Sequence, residues 1–297
     1  MARPTLDPTT IAKYGRLAMI ARDVVEGFLT GVHKSPFKGF SIEFAEHRQY
    51  YPGDEIRHID WRAYGKTDRY YIKEYEEETN LKAYLLVDAS GSMGYAGSQP
   101  KSKFEYAQHV AASLAYLMQT QLDAVGLMLH DHKVREFMQP RSQSKHILQL
   151  MRTLEEAKPG GETSLAPLWH ELTHRIKKRG MIIVLSDCFD DIDRIAHAFK
   201  HFRHQRHEIL LFHILAPEEL EFPFKKWTQF RNLENLDHKK LVDARRLRSE
   251  YLKKFNAFRA RLEDECRLLK IDYHLMRTDE PVERALGIYL SKRAKRK

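Results

Sequence analysis

Two apolar runs of strand length, each ending on an aspartate, constrain the fold of this chain more than any other feature. Leu85-Leu86-Val87 leads into Asp88, and Met181-Ile182-Ile183-Val184-Leu185-Ser186 leads into Asp187. Unbroken apolar runs of this kind suit strands covered on both faces, as in a parallel sheet, rather than strands with a solvated side. After Asp88 come Ala89-Ser90-Gly91-Ser92, then Gly94 and Gly97, and a helical pattern begins near Lys103 with Phe104, Ala107, Ala111, Leu114 and Met118 on one face. Strand, small-residue loop and helix in that order make the ligand-bearing corner of an open α/β sheet.

The alternation continues along the chain. Residues 124–129 and 134–138 read as strands and 142–157 as a helix. The loop Gly160-Gly161-Glu162-Thr163-Ser164 precedes a helix bearing Leu165, Leu168, Leu172 and Ile176. A helix carrying Ile192, Ile195, Phe199 and Phe202, a strand over 208–215 and a last strand over 271–276 follow. The expected class is therefore α/β: a Rossmann-like, mostly parallel sheet with helices on both faces. Ahead of it, residues 9 to about 30 read as a helix. Phe40, Ile42 and Phe44 alternate with polar or small residues, and Tyr70-Tyr71-Ile72 reads as a returning strand, which makes a small β unit. The expected division is 1–80 for the helix and β unit and 81–297 for the sheet. Within the second part an insertion at about 217–269 holds a hairpin or lid around Phe222, Phe224, Trp227 and Phe230, then a long basic helix over 239–269.

At 297 residues and 42% hydrophobic content the chain is long enough for one large core with an elaboration. No apolar run approaches the roughly 20 residues of a membrane span, and the N-terminus lacks a secretory pattern. A cytoplasmic protein with no membrane span is the expectation. Cys188 and Cys266 are the two cysteines, too few and too far apart for a metal pair or a disulfide framework. Of the net charge of +9, the C-terminal third supplies the excess: residues 239–270 hold eleven Lys/Arg against five Asp/Glu, and 280–297 six against two. Such a stretch could meet nucleic acid. A solvated helix face is the favoured reading, because no aromatic-interleaved binding motif accompanies it.

Chemistry concentrates after Asp88. Asp88, Ser90 and Ser92 put three oxygen-bearing side chains at alternate positions, and a parallel sheet brings Thr163 and Asp187 beside them. Oxygen donors with mostly neutral hydroxyls suit Mg²⁺, with Mn²⁺ or Ca²⁺ as alternatives. These five residues resemble the metal-ion-dependent adhesion site of the von Willebrand factor A domain, whose pattern is Asp-x-Ser-x-Ser, a distant Thr and an Asp ending a later strand. The resemblance implies that Ser90 and Ser92 touch the metal, that Thr163 does so in some states, and that Asp88 and Asp187 bind it directly or through water. It also implies capture of a carboxylate from a client protein, which favours binding over catalysis. A longer segment, from Glu43 through His47, Tyr50-Tyr51-Pro52-Gly53-Asp54 and Asp60-Trp61-Arg62 to Thr67-Asp68 and Tyr71-Ile72-Lys73, is similar to the signature of the bacterial domain-of-unknown-function family 58. That family's association with MoxR-type AAA+ ATPases implies an adaptor or chaperone-like partner role. The opposed charges of this segment, from Glu46 to Asp68, read as a bracing network of Arg-carboxylate hydrogen bonds.

One motif competes. His170-Glu171-Leu172-Thr173-His174 has the spacing of a zinc hydrolase, with two histidines one turn apart and Glu171 as base. The apolar stripe Leu168, Leu172 and Ile176 places both histidines about 200° away, toward solvent. The reading carried forward is a non-enzymatic, Mg²⁺-dependent protein-binding module. The zinc hydrolase and the nucleic-acid binder stand as its alternatives.

Overall fold

The structure, a computed structural model, describes residues 16–29, 43–49, 61–67, 70–76, 81–161, 168–169, 171–172, 175–176, 179–231, 233 and 239–295. The chain divides into two units, residues 37–81 and the remainder. Helix α1 (Arg16–Leu29) belongs to the larger unit, where it packs on other helices of that unit, and not to the β unit beside which the sequence reading placed it. Residues 9–15 of the expected helix and 40–42 of the expected strand lie outside the described residues.

In the smaller unit, β1 (Glu43–Gln49) pairs antiparallel with β2 (Tyr71–Glu76), and α2 (Trp61–Thr67) lies between them in sequence. The register shifts between Phe44 and Glu46. Tyr64 stacks on Tyr70 with ring centroids 4.5 Å apart, and Trp61 meets Tyr64 edge-on at 6.2 Å. Asp54, Arg57, Asp60 and Asp68 of the expected bracing network lie outside the described residues.

The larger unit alternates as its apolar periods require: β3 (Lys82–Asp88), α3 (Lys103–Thr120), β4 (Ala124–His130), β5 (Val134–Arg141), α4 (Ser144–Glu156), β6 (Met181–Ser186), α5 (Ile192–His204) and β7 (Glu208–Leu215). A short α6 (Pro217–Glu221), strands β8 (Trp227–Arg231) and β9 (Lys239–Asp243), α7 (Ala244–Leu268), β10 (Asp272–Arg277) and α8 (Val282–Lys295) complete it. The sheet runs β10-β7-β6-β3-β4-β5, parallel throughout except that β5 returns antiparallel to β4. From β3 the chain winds outward through β4 and β5, then restarts on the other side with β6, β7 and β10. The winding therefore reverses between β3 and β6; Asp88 is the last residue of the first strand and Asp187 directly follows the second. In open α/β sheets that crevice is where ligands bind.

Both faces are covered. On one, Trp169 stacks on Phe199 at 5.2 Å, and Phe202 and Leu262 join them against Tyr84, Leu86, Ile182, Val184 and Leu211. On the other, α1, α3, α4 and α8 pack together, and Tyr289 of α8 meets Phe212 edge-on at 5.1 Å. Alternate residues of β7 thus point to opposite layers. Helix boundaries follow local chemistry: Ser102 and Glu105 form a reciprocal capping box at α3, and the Asp191 side chain accepts from Asp193 and Arg194 N–H at α5.

One expectation fails here. Residues 239–243 are not the first turn of the basic helix but a strand paired with β8, Leu241 opposite Gln229. Leu241 is 65% exposed, so its place in an apolar helical spacing buried nothing. The helix begins only where Asp243 accepts from the Arg245 N–H.

Gly180 enters β6 beside β3, and a Cβ there would stand 2.4 Å from the Lys82 carbonyl oxygen. Gly180→Ala is expected to lower stability by about 1–3 kcal/mol because backbone must shift. Gly160→Ala, with nothing within 4 Å of its Cβ, serves as the near-neutral control. Urea midpoints of the two variants check this.

Candidate cation-binding site

Asp88 ends β3 fully buried, and each of its carboxylate oxygens is engaged. Oδ1 accepts the Ser90 N–H at 2.9 Å, and Oδ2 accepts the Ser186 hydroxyl at 2.6 Å. The first bond turns the chain so that Ser90 and Ser92 bring their hydroxyl oxygens to 3.1 Å. The second ties β3 to β6 across the reversal, and the Ser186 oxygen in turn accepts the Cys188 N–H at 2.9 Å. The neighbouring loop is bound to the same corner: Gly91 N–H donates to Gly161 O and Gly160 N–H to Ala89 O, both at 2.9 Å. Arg135, paired with Asp131 at 2.6 Å, holds the loop through the carbonyls of Lys158 and Gly160.

Asp187 is also fully buried. Its Oδ2 receives the Lys103 ammonium at 2.7 Å, and the same ammonium reaches Glu219 Oε1 at 2.6 Å. Burial works against the Lys103 charge, but the two carboxylates outweigh it and hold the pKa above its ordinary value. The ammonium also lies 4.9 Å from the Phe189 ring centroid. Behind Asp187, His213 Nε2 donates to the Asp187 carbonyl at 2.9 Å while Nδ1 accepts from Tyr273 OH at 2.8 Å. Burial pushes that imidazole down to about 4, so it is neutral and its tautomer is set by its partners.

The charges of this corner do not balance. Asp88, Asp187 and Glu219 face one ammonium, and the Asp88 carboxyl is pushed up to about 7, first by burial and then by Asp187. Burial beside a second carboxylate thus favours the protonated form of Asp88.

The hairpin of β8 and β9 adds a roof. A cavity of about 650 Å³ has Ser92, Lys103 and Glu219 among its lining residues, together with Phe222, Phe230 and Tyr251. Glu219 anchors α6 beside it by accepting the Ala216 N–H at 2.8 Å, and Tyr251 OH donates to the Glu219 carbonyl at 3.1 Å.

Of the five residues predicted from the sequence, the structure brings Asp88, Ser90, Ser92 and Asp187 to one corner, and Thr163 lies outside the described residues. His170 and His174 lie outside them too. Glu171 is exposed and paired with Arg175 at 2.6 Å. Among the described residues no group of three or more His, Cys, Asp or Glu is placed to hold a metal ion. The sequence reading missed Lys103, Glu219 and Ser186. Two of these left signals: a lysine in the first turn of a helix opposes the helix dipole and implies a tertiary partner, and a serine inside an otherwise apolar buried strand implies a hydroxyl with a task.

This geometry defines an α/β protein with its candidate site at the reversal point of a mostly parallel sheet. Residues 46–261 match the family model described as Protein of unknown function DUF58, and the chain belongs to that family. It is 26% identical over 222 residues to an uncharacterised protein of Mycobacterium bovis, and equally to those of two Mycobacterium tuberculosis strains, covering 73% of this chain and 68% of each relative. Similar solved structures include the conserved hypothetical protein BatB of Bacteroides thetaiotaomicron (17% identity, TM-score 0.48, 72% of this chain and 99% of that one). An aerotolerance-related membrane protein of Bacteroides fragilis matches at 15% identity and TM-score 0.47, over 73% of this chain and 100% of that one. An uncharacterised membrane-spanning protein of Vibrio fischeri matches at 17% identity and TM-score 0.26, over 73% and 99%. Two of these proteins are described as membrane proteins, and the expectation of a cytoplasmic location is not carried forward for this chain. Among the described residues no helix is long and apolar enough to cross a membrane.

Two outcomes follow from the charge imbalance. Lys103→Met leaves Asp187 and Glu219 buried without their cation and is expected to cost about 3–5 kcal/mol, read from denaturation midpoints. The Asp88 carboxyl, raised to about 7 from the ordinary 3.8, keeps in the folded protein a proton that the unfolded chain has already released. Without added cation, folding stability therefore falls as pH rises from about 4 through 7. Asp88→Asn has no such proton to lose, so the stability of the wild type relative to this variant declines across that window in chelator-treated samples.

Proposed function

We propose that this chain is a non-enzymatic, divalent-cation-dependent protein-binding module of the von Willebrand factor A type. The observation that carries this reading is the pair of Ser90 and Ser92 hydroxyls, 3.1 Å apart, set beside the buried Asp88 at the point where the sheet reverses. Ser90, Ser92 and Thr163 would supply neutral oxygens, and Asp88 and Asp187 would bind directly or through water. That all-oxygen donor set suits Mg²⁺, with Mn²⁺ or Ca²⁺ as substitutes. Each engaged carboxylate oxygen keeps a second lone pair, so the hydrogen bonds from Ser186, Ser90 and Lys103 orient the donors without consuming them. When bound, the ion would supply an electrophilic position for a carboxylate from a client protein.

The partner in this reading is a MoxR-type AAA+ ATPase, with the chain acting as an adaptor or chaperone-like component in protein or complex maturation. The support is the family resemblance of the segment around Glu43 to Lys73 together with a site suited to capture rather than bond breaking.

Titration calorimetry tests the cation. Mg²⁺ is expected to bind the wild type with at least tenfold higher affinity than Asp88→Ala or Ser92→Ala, and equal affinities in the three proteins would overturn the reading. A pull-down of the ATPase that survives chelation would remove the cation from the partner interaction.

A further inference from the structure

The cavity beneath the β8–β9 hairpin shares Ser92 and Lys103 with the cation corner, so whatever fills it abuts the corner. Its volume of about 650 Å³ lies within the range of built ligand sites, which are mostly apolar with a few convergent polar groups. The apolar walls are aromatic. Phe222 contacts Tyr251 at 4.6 Å and Phe224 edge-on at 5.1 Å, and Phe224 meets Phe230 edge-on at 5.4 Å. Tilted and edge-on rings present both faces and edges, the surfaces on which a further aromatic ring packs.

Phe189 and Tyr251 also line a second cleft of about 350 Å³ against Leu247, Phe255 and Phe258. Apolar surface therefore continues from the corner along α7 for more than one side chain, which fits an extended peptide better than a compact small molecule. The charges lining the cavity are mixed: Lys103 and Arg231 stand with Glu218 and Glu219, and the Lys103 ammonium is already taken up by Asp187 and Glu219. A carboxylate would therefore be drawn by the divalent ion beyond Ser92 and not by the lysine.

We infer that this cavity is the specificity pocket of the corner: it takes an aromatic side chain adjacent to the captured carboxylate, so that the recognised element is an acidic residue flanked by aromatic ones in an extended segment of the client. The inference rests on the cation reading above. The ion would fix the carboxylate, and the aromatic walls would select its neighbours through burial of apolar area, worth roughly tenfold or more per well-seated ring.

The test uses three blocked tripeptides, Phe-Asp-Phe, Phe-Asn-Phe and Ala-Asp-Ala, measured by ligand-observed NMR with and without Mg²⁺ on the full chain. Phe-Asp-Phe is expected to bind at least tenfold more tightly than either of the others in Mg²⁺. Chelation should erase its advantage over Phe-Asn-Phe. Phe230→Ala should erase its advantage over Ala-Asp-Ala while leaving the Mg²⁺ titration, which reports an intact corner, unchanged. Trp227→Ala, on the same hairpin but 68% exposed, should leave all three affinities unchanged. If Mg²⁺ binds and Ala-Asp-Ala competes equally with Phe-Asp-Phe, the pocket is overturned while the cation reading stands. A carboxylate preference that survives chelation also overturns it, because Lys103 or Arg231 would then be reading the charge. If Mg²⁺ itself fails to bind, the cation reading falls and the pocket with it.

Discussion

A single ammonium, that of Lys103, joins three parts of the chain that are far apart in sequence. It leaves the first turn of α3, enters a fully buried position, and is held between Asp187 at the end of β6 and Glu219 on α6. A buried charge is tolerated only when its partners are in place, so this contact obliges the loop after β3, the carboxyl end of β6 and the start of the insertion to meet. The hairpin roof depends on it, because Glu219 also caps its own short helix and receives Tyr251 from α7. Hence the corner and the cavity form one construction rather than two neighbouring features.

The second constraint is the excess of acid over base at that corner. The carboxylates are balanced by what the fold supplies: the Ser186 hydroxyl, the Ser90 N–H and one lysine. What they leave uncompensated shows in the raised Asp88 carboxyl. The proposed divalent cation would supply the missing positive charge, and the nearby hydroxyl pair is chemically suited to a hard ion.

Much of the architecture was legible because periodicity reports burial directly. The apolar runs before Asp88 and Asp187, the stripe of α5 and the strand over 208–215 all lie where their patterns put them, and the alternation implied a parallel sheet with two helical layers. The insertion was less legible. Leu241 sits at a helical spacing from the apolar residues of α7, yet it belongs to a hairpin whose outer face is solvent, and a short two-stranded ribbon carries too little apolar pattern to outvote a following helix. At the site, the motif residues Asp88, Ser90, Ser92 and Asp187 could be named because local spacing and strand ends mark them. Lys103 and Glu219 could not be paired, since 116 residues separate them and no local rule connects them.

By itself the sequence determined the strands and helices of the central sheet and its layers, though not the strand over 239–243, and it marked which carboxylates end the central strands and that oxygen donors collect after the first of them. These are local properties, set by side-chain volume, polarity and period. Only the tertiary structure decided that Ser186 locks Asp88, that one lysine bridges Asp187 to the insertion, and that aromatic side chains border an open cavity at the corner. Those outcomes depend on which chain ends the sheet's reversal brings together, and on buried charges finding partners across that reversal, and neither is written in any short stretch of residues.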